Sequence, residues 1–164
     1  MKQLILFISM SCLIFASGGC SRLLDSKTGD WEVYEEVSPL DDSRNVIMGL
    51  SAENNVNLQL IVRCKEGKTD VIIDYYTVLE RIRGWDVFVW SRFDQEPAER
   101  GGWRQSTTGT AIFAYEGVSW ARKIASARKL YVRTDPEVGP LVEGTFQLKG
   151  AAEAMRPLRE ACNF

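Results

Sequence analysis

Apolar and polar residues alternate with a period of two through much of this chain, the pattern of strands with one face buried. The clearest run is Leu58, Leu60, Val62 and Cys64, interleaved with Gln59, Ile61 and Arg63. It puts Cys64 on the face that turns inward. Lys65-Glu66-Gly67-Lys68 is turn-like, and Thr69 to Tyr76 completes a hairpin. Upstream, Trp31 to Val37 is rich in aromatic and β-branched residues and predicts a strand. Ser38 to Ser43 reads as a turn, because Pro39 fixes φ and the Asp and Ser side chains bond nearby backbone. Asn45 to Ser51 is the next strand.

Val87, Val89 and Ser91 alternate with Phe88, Trp90 and Arg92 in a further strand. Gln95 to Gly102, with Glu96-Pro97 and Gly101-Gly102, reads as a loop. Trp103 to Ser106 and Thr110 to Tyr115 pair around Thr107-Thr108-Gly109. The period then changes. Val118, Ala121, Ile124 and Ala125 share one helical face over Glu116 to Arg128, leaving Arg122, Lys123 and Arg128 outside. Leu130 to Arg133 and Val142 to Leu148 return to strand. The tail from Gly150 to Cys162 is an amphipathic helix that Pro157 bends or delays. The fold class is therefore mainly β with some α: an antiparallel β-sandwich or curled sheet, two short peripheral helices and one disulfide.

The first residues follow a different rule. Lys2 precedes a nearly unbroken apolar run from Leu4 to Phe15, and Ala16-Ser17-Gly18-Gly19 supplies small residues before Cys20. A positive start, a short apolar core and small residues at the cut make an export signal. The run is too short to span a bilayer comfortably. Residues 1–19 are thus expected to be a signal peptide, 20–30 a polar tether and 31–164 a single β-rich domain. Ser17-Gly18-Gly19-Cys20 is similar to the lipobox of bacterial lipoproteins, with Ser17 where leucine is usual. That resemblance implies a lipid on Cys20 and, with Ser21 following, a place on the periplasmic face of the outer membrane. The alternative is ordinary cleavage near Gly18 or Gly19, with Cys20 left as a free or disulfide-bonded thiol.

Composition narrows the chemistry. Twenty basic and twenty-two acidic residues give a formal charge of −2. That balance argues against a nucleic-acid groove, which needs a basic face. The chain contains no histidine, which excludes Ser-His-Asp and Cys-His catalysis and histidine metal sites. A carboxylate pair acting on a glycan remains conceivable, but the expectation is no enzyme, no metal and no cofactor. Of four cysteines, Cys12 leaves with the signal and Cys20 is taken by lipid. Cys64 and Cys162 remain as a pair outside the reducing cytosol and read as a disulfide; two buried thiols are the alternative.

Several segments together carry a resemblance. They are Trp31, Ser38 to Val46, Leu60-Ile61-Val62-Arg63-Cys64-Lys65-Glu66-Gly67-Lys68-Thr69, Val89 with Arg92 and Asp94, Trp103, Ser106-Thr107, Phe146 to Gly150, and Pro157-Leu158-Arg159-Glu160-Ala161-Cys162. This combination resembles the VasI/TagO family of type VI secretion-associated envelope proteins, in which a cysteine after arginine and another near the C-terminus recur. The resemblance implies an accessory role in the envelope without catalytic residues or cofactor.

Candidate interaction residues follow from local chemistry. Asp41 and Asp42 beside Ser43 can hold a partner's arginine, or can simply cap a turn. Arg92 and Asp94, two apart, form an ion pair or present a charged edge. Trp103 is one of several tryptophans, with Trp85, Trp90 and Trp120, of which most belong to the core and one can serve a binding surface. Arg122, Lys123, Arg128 and Lys129 read as a solvated helix end. The expected function is a membrane-tethered envelope domain that binds an unidentified envelope protein. The alternative is an inhibitor, immunity or phage-exclusion protein acting on a cell-wall hydrolase or envelope target.

Overall fold

A computed structural model describes residues 26–75, 86–135 and 141–164. The signal, Cys20 and Trp85 lie outside the described residues. Ten strands run β1 (Ser26–Thr28), β2 (Trp31–Val37), β3 (Arg44–Ala52), β4 (Asn55–Lys65), β5 (Lys68–Asp74), β6 (Val87–Phe93), β7 (Glu99–Gln105), β8 (Ala111–Ala114), β9 (Lys129–Thr134) and β10 (Glu143–Gln147). Three helices are α1 (Gly117–Ser126), α2 (Ala151–Ala154) and α3 (Arg156–Cys162). The sheet is antiparallel throughout, in the order β1-β2-β3-β4-β5-β8-β7-β6-β9-β10. This is the curled sheet that the alternation predicts.

The inward faces obey the period-two pattern closely. Leu58, Leu60, Val62 and Cys64 of β4 are all fully buried, as are Val46 and Met48 of β3. From the other half of the sheet, Leu130, Phe146 and Trp103 turn into the same core. Curling brings β10 back onto the β3–β4 turn. Glu53 N donates to Thr145 O at 2.7 Å, Thr145 N donates to Asn54 Oδ1 at 2.9 Å, and Gln147 Nε2 donates to Glu53 Oε2 at 3.0 Å. Gly144 makes this closure possible. A Cβ there would lie 2.4 Å from Leu58 Cδ2 and 2.9 Å from Ala52 Cβ.

The helices cover the inner side. α1 begins at Gly117, which lies so near Thr69 that a Cβ would come within 2.2 Å of its carbonyl oxygen. That approach lets Ala121 and Ile124 bury completely. The tail contains two helices where one was expected. Pro157 falls at the start of α3, where a missing backbone N–H costs nothing, so the proline delays the second helix instead of breaking one. Cys162 bonds to Cys64, 98 positions away in the sequence, with Cα atoms 5.7 Å apart. The bridge fixes α3 against β3 and β4, and Arg44 reinforces it, bonding Glu35 at 2.6 Å and reaching Glu160 at 3.8 Å.

Two strand expectations differ from the structure. Ser26–Thr28 pairs with β2 as an edge strand, inside the stretch read as a tether. β7 begins at Glu99, within the expected loop, because backbone pairing with β6 continues through Gly101 and Gly102. Glycine weakens a strand but does not forbid it when a neighbouring strand, here β6, supplies the ladder.

Candidate functional site

The alternation that fills the core also dictates what the sheet shows to solvent. On β6, Val87, Val89 and Ser91 turn inward, so Phe88, Trp90 and Arg92 turn outward. The register places Trp90 opposite Arg100 of β7 on one side and Arg133 of β9 on the other. Arg92 lies opposite Tyr131. The outer face of β7-β6-β9 is thus a mixed layer of rings and guanidinium groups, with Trp90 half-buried at its centre.

These arginines are not equivalent. Arg100 is committed to the fold: its Nε and Nη2 bond Asp135 Oδ2 at 3.0 and 2.8 Å, and its guanidinium stacks 4.0 Å from the Phe88 ring. Arg92 has its Nε tied to Glu96 O at 3.0 Å, which aims the side chain without neutralising it. Among the described residues, neither Arg92 nor Arg133 makes an ion pair. Tyr131 donates its hydroxyl to Glu143 at 2.7 Å. Partial burial first, and that bond second, raise its hydroxyl above the ordinary phenol range.

The residues singled out from the sequence fall mostly elsewhere. Asp41 accepts from the Ser43 amide and hydroxyl at 3.2 and 2.8 Å. Hydrogen bonds from the Ser38 and Ser43 hydroxyls hold its carboxyl below the usual carboxylate range. Asp42 occupies the same exposed turn with φ of 55°. Asp94 lies one residue beyond β6 and makes no ion pair with Arg92. Its carboxylate instead accepts from the amides of Arg128 and Lys129 at 3.0 and 2.9 Å, which fixes the entry to β9. Trp103 is only 2% exposed and meets Trp120 edge to face with centroids 4.8 Å apart. Only Arg92 joins the outer face. Trp90 was passed over among tryptophans assigned to the core, although its parity with Phe88 and Arg92 already put it on the side opposite Val89. Arg122 and Arg128 are exposed, as expected of a solvated helix end.

Besides an open hollow of about 620 Å³ along α2 and α3, beside Arg156 and Phe164, two smaller concavities lie on the described surface. One, of about 400 Å³, lies over Gly49 and is lined by Asp30, Glu32, Tyr34, Ser51, Glu53 and Gln147 among others. The second, of about 250 Å³, lies between β7 and α1 beside Trp120 and Lys123. Among the described residues, no three acidic or cysteine side chains come together to hold a metal ion, and no helix is long and apolar enough to cross a membrane.

Comparison with protein-family models and with curated proteins finds no match. Among solved structures, invasion-associated protein B from Bartonella henselae is similar, with a TM-score of 0.58 and 14% sequence identity. The likeness covers 86% of this chain and 99% of that one. It is a likeness of fold.

Proposed function

We propose that this chain is a non-enzymatic extracytoplasmic domain, fixed to a membrane by a lipid on Cys20, that binds another protein of the cell envelope. An accessory role in type VI secretion is the specific setting that the sequence resemblance suggests. The observation that carries the reading is the outer face at Trp90. Two exposed arginines there make no ion pair among the described residues, beside a half-buried indole on a rigid sheet. Tryptophan, tyrosine and arginine are the side chains that dominate binding energy at protein interfaces. A rigid strand holds them at little further entropic cost on binding. The Cys64–Cys162 bridge supports the location, since structural disulfides persist in oxidising compartments.

The test is site-specific photocrosslinking in intact cells, with a crosslinking amino acid on the outer sheet face and fractionation of the products. The expected result is a defined adduct with an envelope protein in the membrane fraction, lost when Cys20→Ser releases the domain. Absence of any protein adduct at every outer-face position, or a domain that stays cytosolic with reduced thiols, would overturn the reading.

A further inference from the structure

We propose that the Trp90 face takes an acidic segment of its protein partner, with carboxylates seated on Arg92 and Arg133 and an apolar side chain over the indole. This rests on the partner-binding reading above and adds the chemistry of the partner. The outward residues of β6, β7, β9 and β10 include five cations, Arg92, Arg100, Arg104, Lys129 and Arg133, against Glu143 within these strands and Asp86 and Asp135 just beyond their ends. Their balance is +2, while the whole chain is −2. The face is a basic island on an acidic protein, and charge complementarity points to an anionic occupant.

Protein is favoured over other anions by the kind of cation and its spacing. Both seats are arginines, whose planar fork accepts a carboxylate with two parallel hydrogen bonds. They stand on the neighbouring strands β6 and β9, two residues apart in register: Arg133 directly opposite Trp90, and Arg92 two residues along β6 opposite Tyr131. Trp90 and Tyr131 hold the other two corners of that four-residue patch, so an occupant needs acidic groups alternating with something apolar. A side-chain sequence supplies that alternation. A phosphate polymer or an anionic bilayer presents dense charge instead, and rewards a larger cluster of cations.

The face is also preorganised. Arg100 on Phe88, locked to Asp135, braces the strand beside Trp90, and Glu96 O orients Arg92. The pairing that is lacking at Arg92 and Arg133 is therefore not a sign of a loose surface.

The experiment uses the full chain in cells, with the photocrosslinker at Thr145 on β10 beside Tyr131, or at Ile47 on the far half of the sheet as the comparison site. Adducts are mapped to the partner's peptide. The expected result is a Thr145 adduct on a segment rich in Asp or Glu, reduced at least tenfold by Arg92→Glu with Arg133→Glu. Changing the crosslinked segment's acidic residues to Arg should restore it in the doubly reversed protein. Lys68→Gln, far along β5, should leave the adduct unchanged. A second arm measures flotation of the purified protein with phosphatidylglycerol vesicles and retention on immobilised heparin. If either depends on Arg92 and Arg133, the occupant is a lipid or a glycan and the proposal falls. An adduct at Ile47 but not at Thr145 would leave partner binding standing and overturn this inference alone. Adducts at neither site would overturn both.

Discussion

The β4–β5 and β6–β9 pairs, one in each half of the sheet, treat outward charge in opposite ways, although Arg100 of β7 is paired much as Arg63 is. On β4 and β5, Arg63 forks onto Asp70 with Nε and Nη2 at 3.0 and 2.9 Å, and the Asp70 side chain is only 10% exposed. Beside that pair, Ile61, Ile72 and Phe113 stand in register across three strands, and the disulfide fixes the same region to α3 from within. On β6 and β9, Arg92 and Arg133 are equally outward but, among the described residues, have no carboxylate within ion-pair range. The first half uses its arginine to neutralise a carboxylate that folding has largely desolvated. The second leaves arginines solvated beside an aromatic ring. Burial of the opposing carboxylate, more than the presence of an arginine, separates a structural charge from one available to a ligand.

The comparison is broken most forcefully at the bridge. Replacing either cysteine by serine should cost about 2–5 kcal/mol, the usual loss for a native disulfide in a small exported domain. Cys64→Ser should cost about 1 kcal/mol more than Cys162→Ser, because its hydroxyl would lie in a fully buried site without an assured partner. Denaturant unfolding of both variants checks the size and the order, and unchanged midpoints would mean that the bridge does not hold the first half together.

Next in size is Gly144→Ala, where β10 meets the β3–β4 turn. The added methyl would force Leu58 and Ala52 apart, at a cost of about 1–3 kcal/mol for overpacking. Gly144 marks the place where the second half of the sheet leans on the first. A variant as stable as the parent, measured by thermal unfolding, would mean that β10 closes less tightly than these distances require.

Smaller again is a matched pair of charge deletions. Arg63→Gln strands the largely buried Asp70 carboxylate, and should cost about 1–2 kcal/mol once partial exposure of the arginine is allowed for. Arg133→Gln removes a cation with no partner and should change stability by less than about 0.5 kcal/mol. Equal losses at both positions would erase the distinction between the two halves.

How much of this was legible depended on which rule each segment obeyed. Wherever one face is buried and the other wet, as in Leu58 to Cys64, parity alone fixed both the strand and its inward face. The bridge was legible because Cys64 and Cys162 are the pair left once the expected signal and the expected lipid site at Cys20 are set aside. The strand carrying Gly101-Gly102 was not, because its glycines are held by their pairing with β6 and not by any preference of their own. Asp94 shows the limit for sites. Its spacing from Arg92 suggested an ion pair, but the strand ends at Phe93, and a residue with φ of 46° aims its carboxylate at the β9 amides instead. Trp90 illustrates the reverse: the alternation of β6 already placed it outward, while a general expectation for tryptophan pointed inward.

Two tyrosines, one from each half, sharpen the contrast at alkaline pH. Tyr75 follows β5 and is 2% exposed, and its hydroxyl lies toward Gln105 without closing a full hydrogen bond. Burial pushes it from 10.0 up to about 12. The folded state therefore favours the neutral phenol. The stability this contributes is fully present below pH 10, where the unfolded chain is still protonated, and is lost as pH rises from 10 through 12. Tyr75→Phe cannot ionise, so its stability should fall less steeply than the parent's across that window. At neutral pH the same change removes an unsatisfied buried hydroxyl and should be neutral or slightly stabilising, by up to about 1 kcal/mol. Tyr131, on the open face with Glu143, is also raised, but water reaches its hydroxyl, so Tyr131→Phe should alter the alkaline limb less. Urea midpoints taken at intervals from pH 8 to pH 12 separate the two. A Tyr75→Phe curve parallel to the parent's would mean that the interior of the first half admits the phenolate, and is less sealed than its outward ion pair implies.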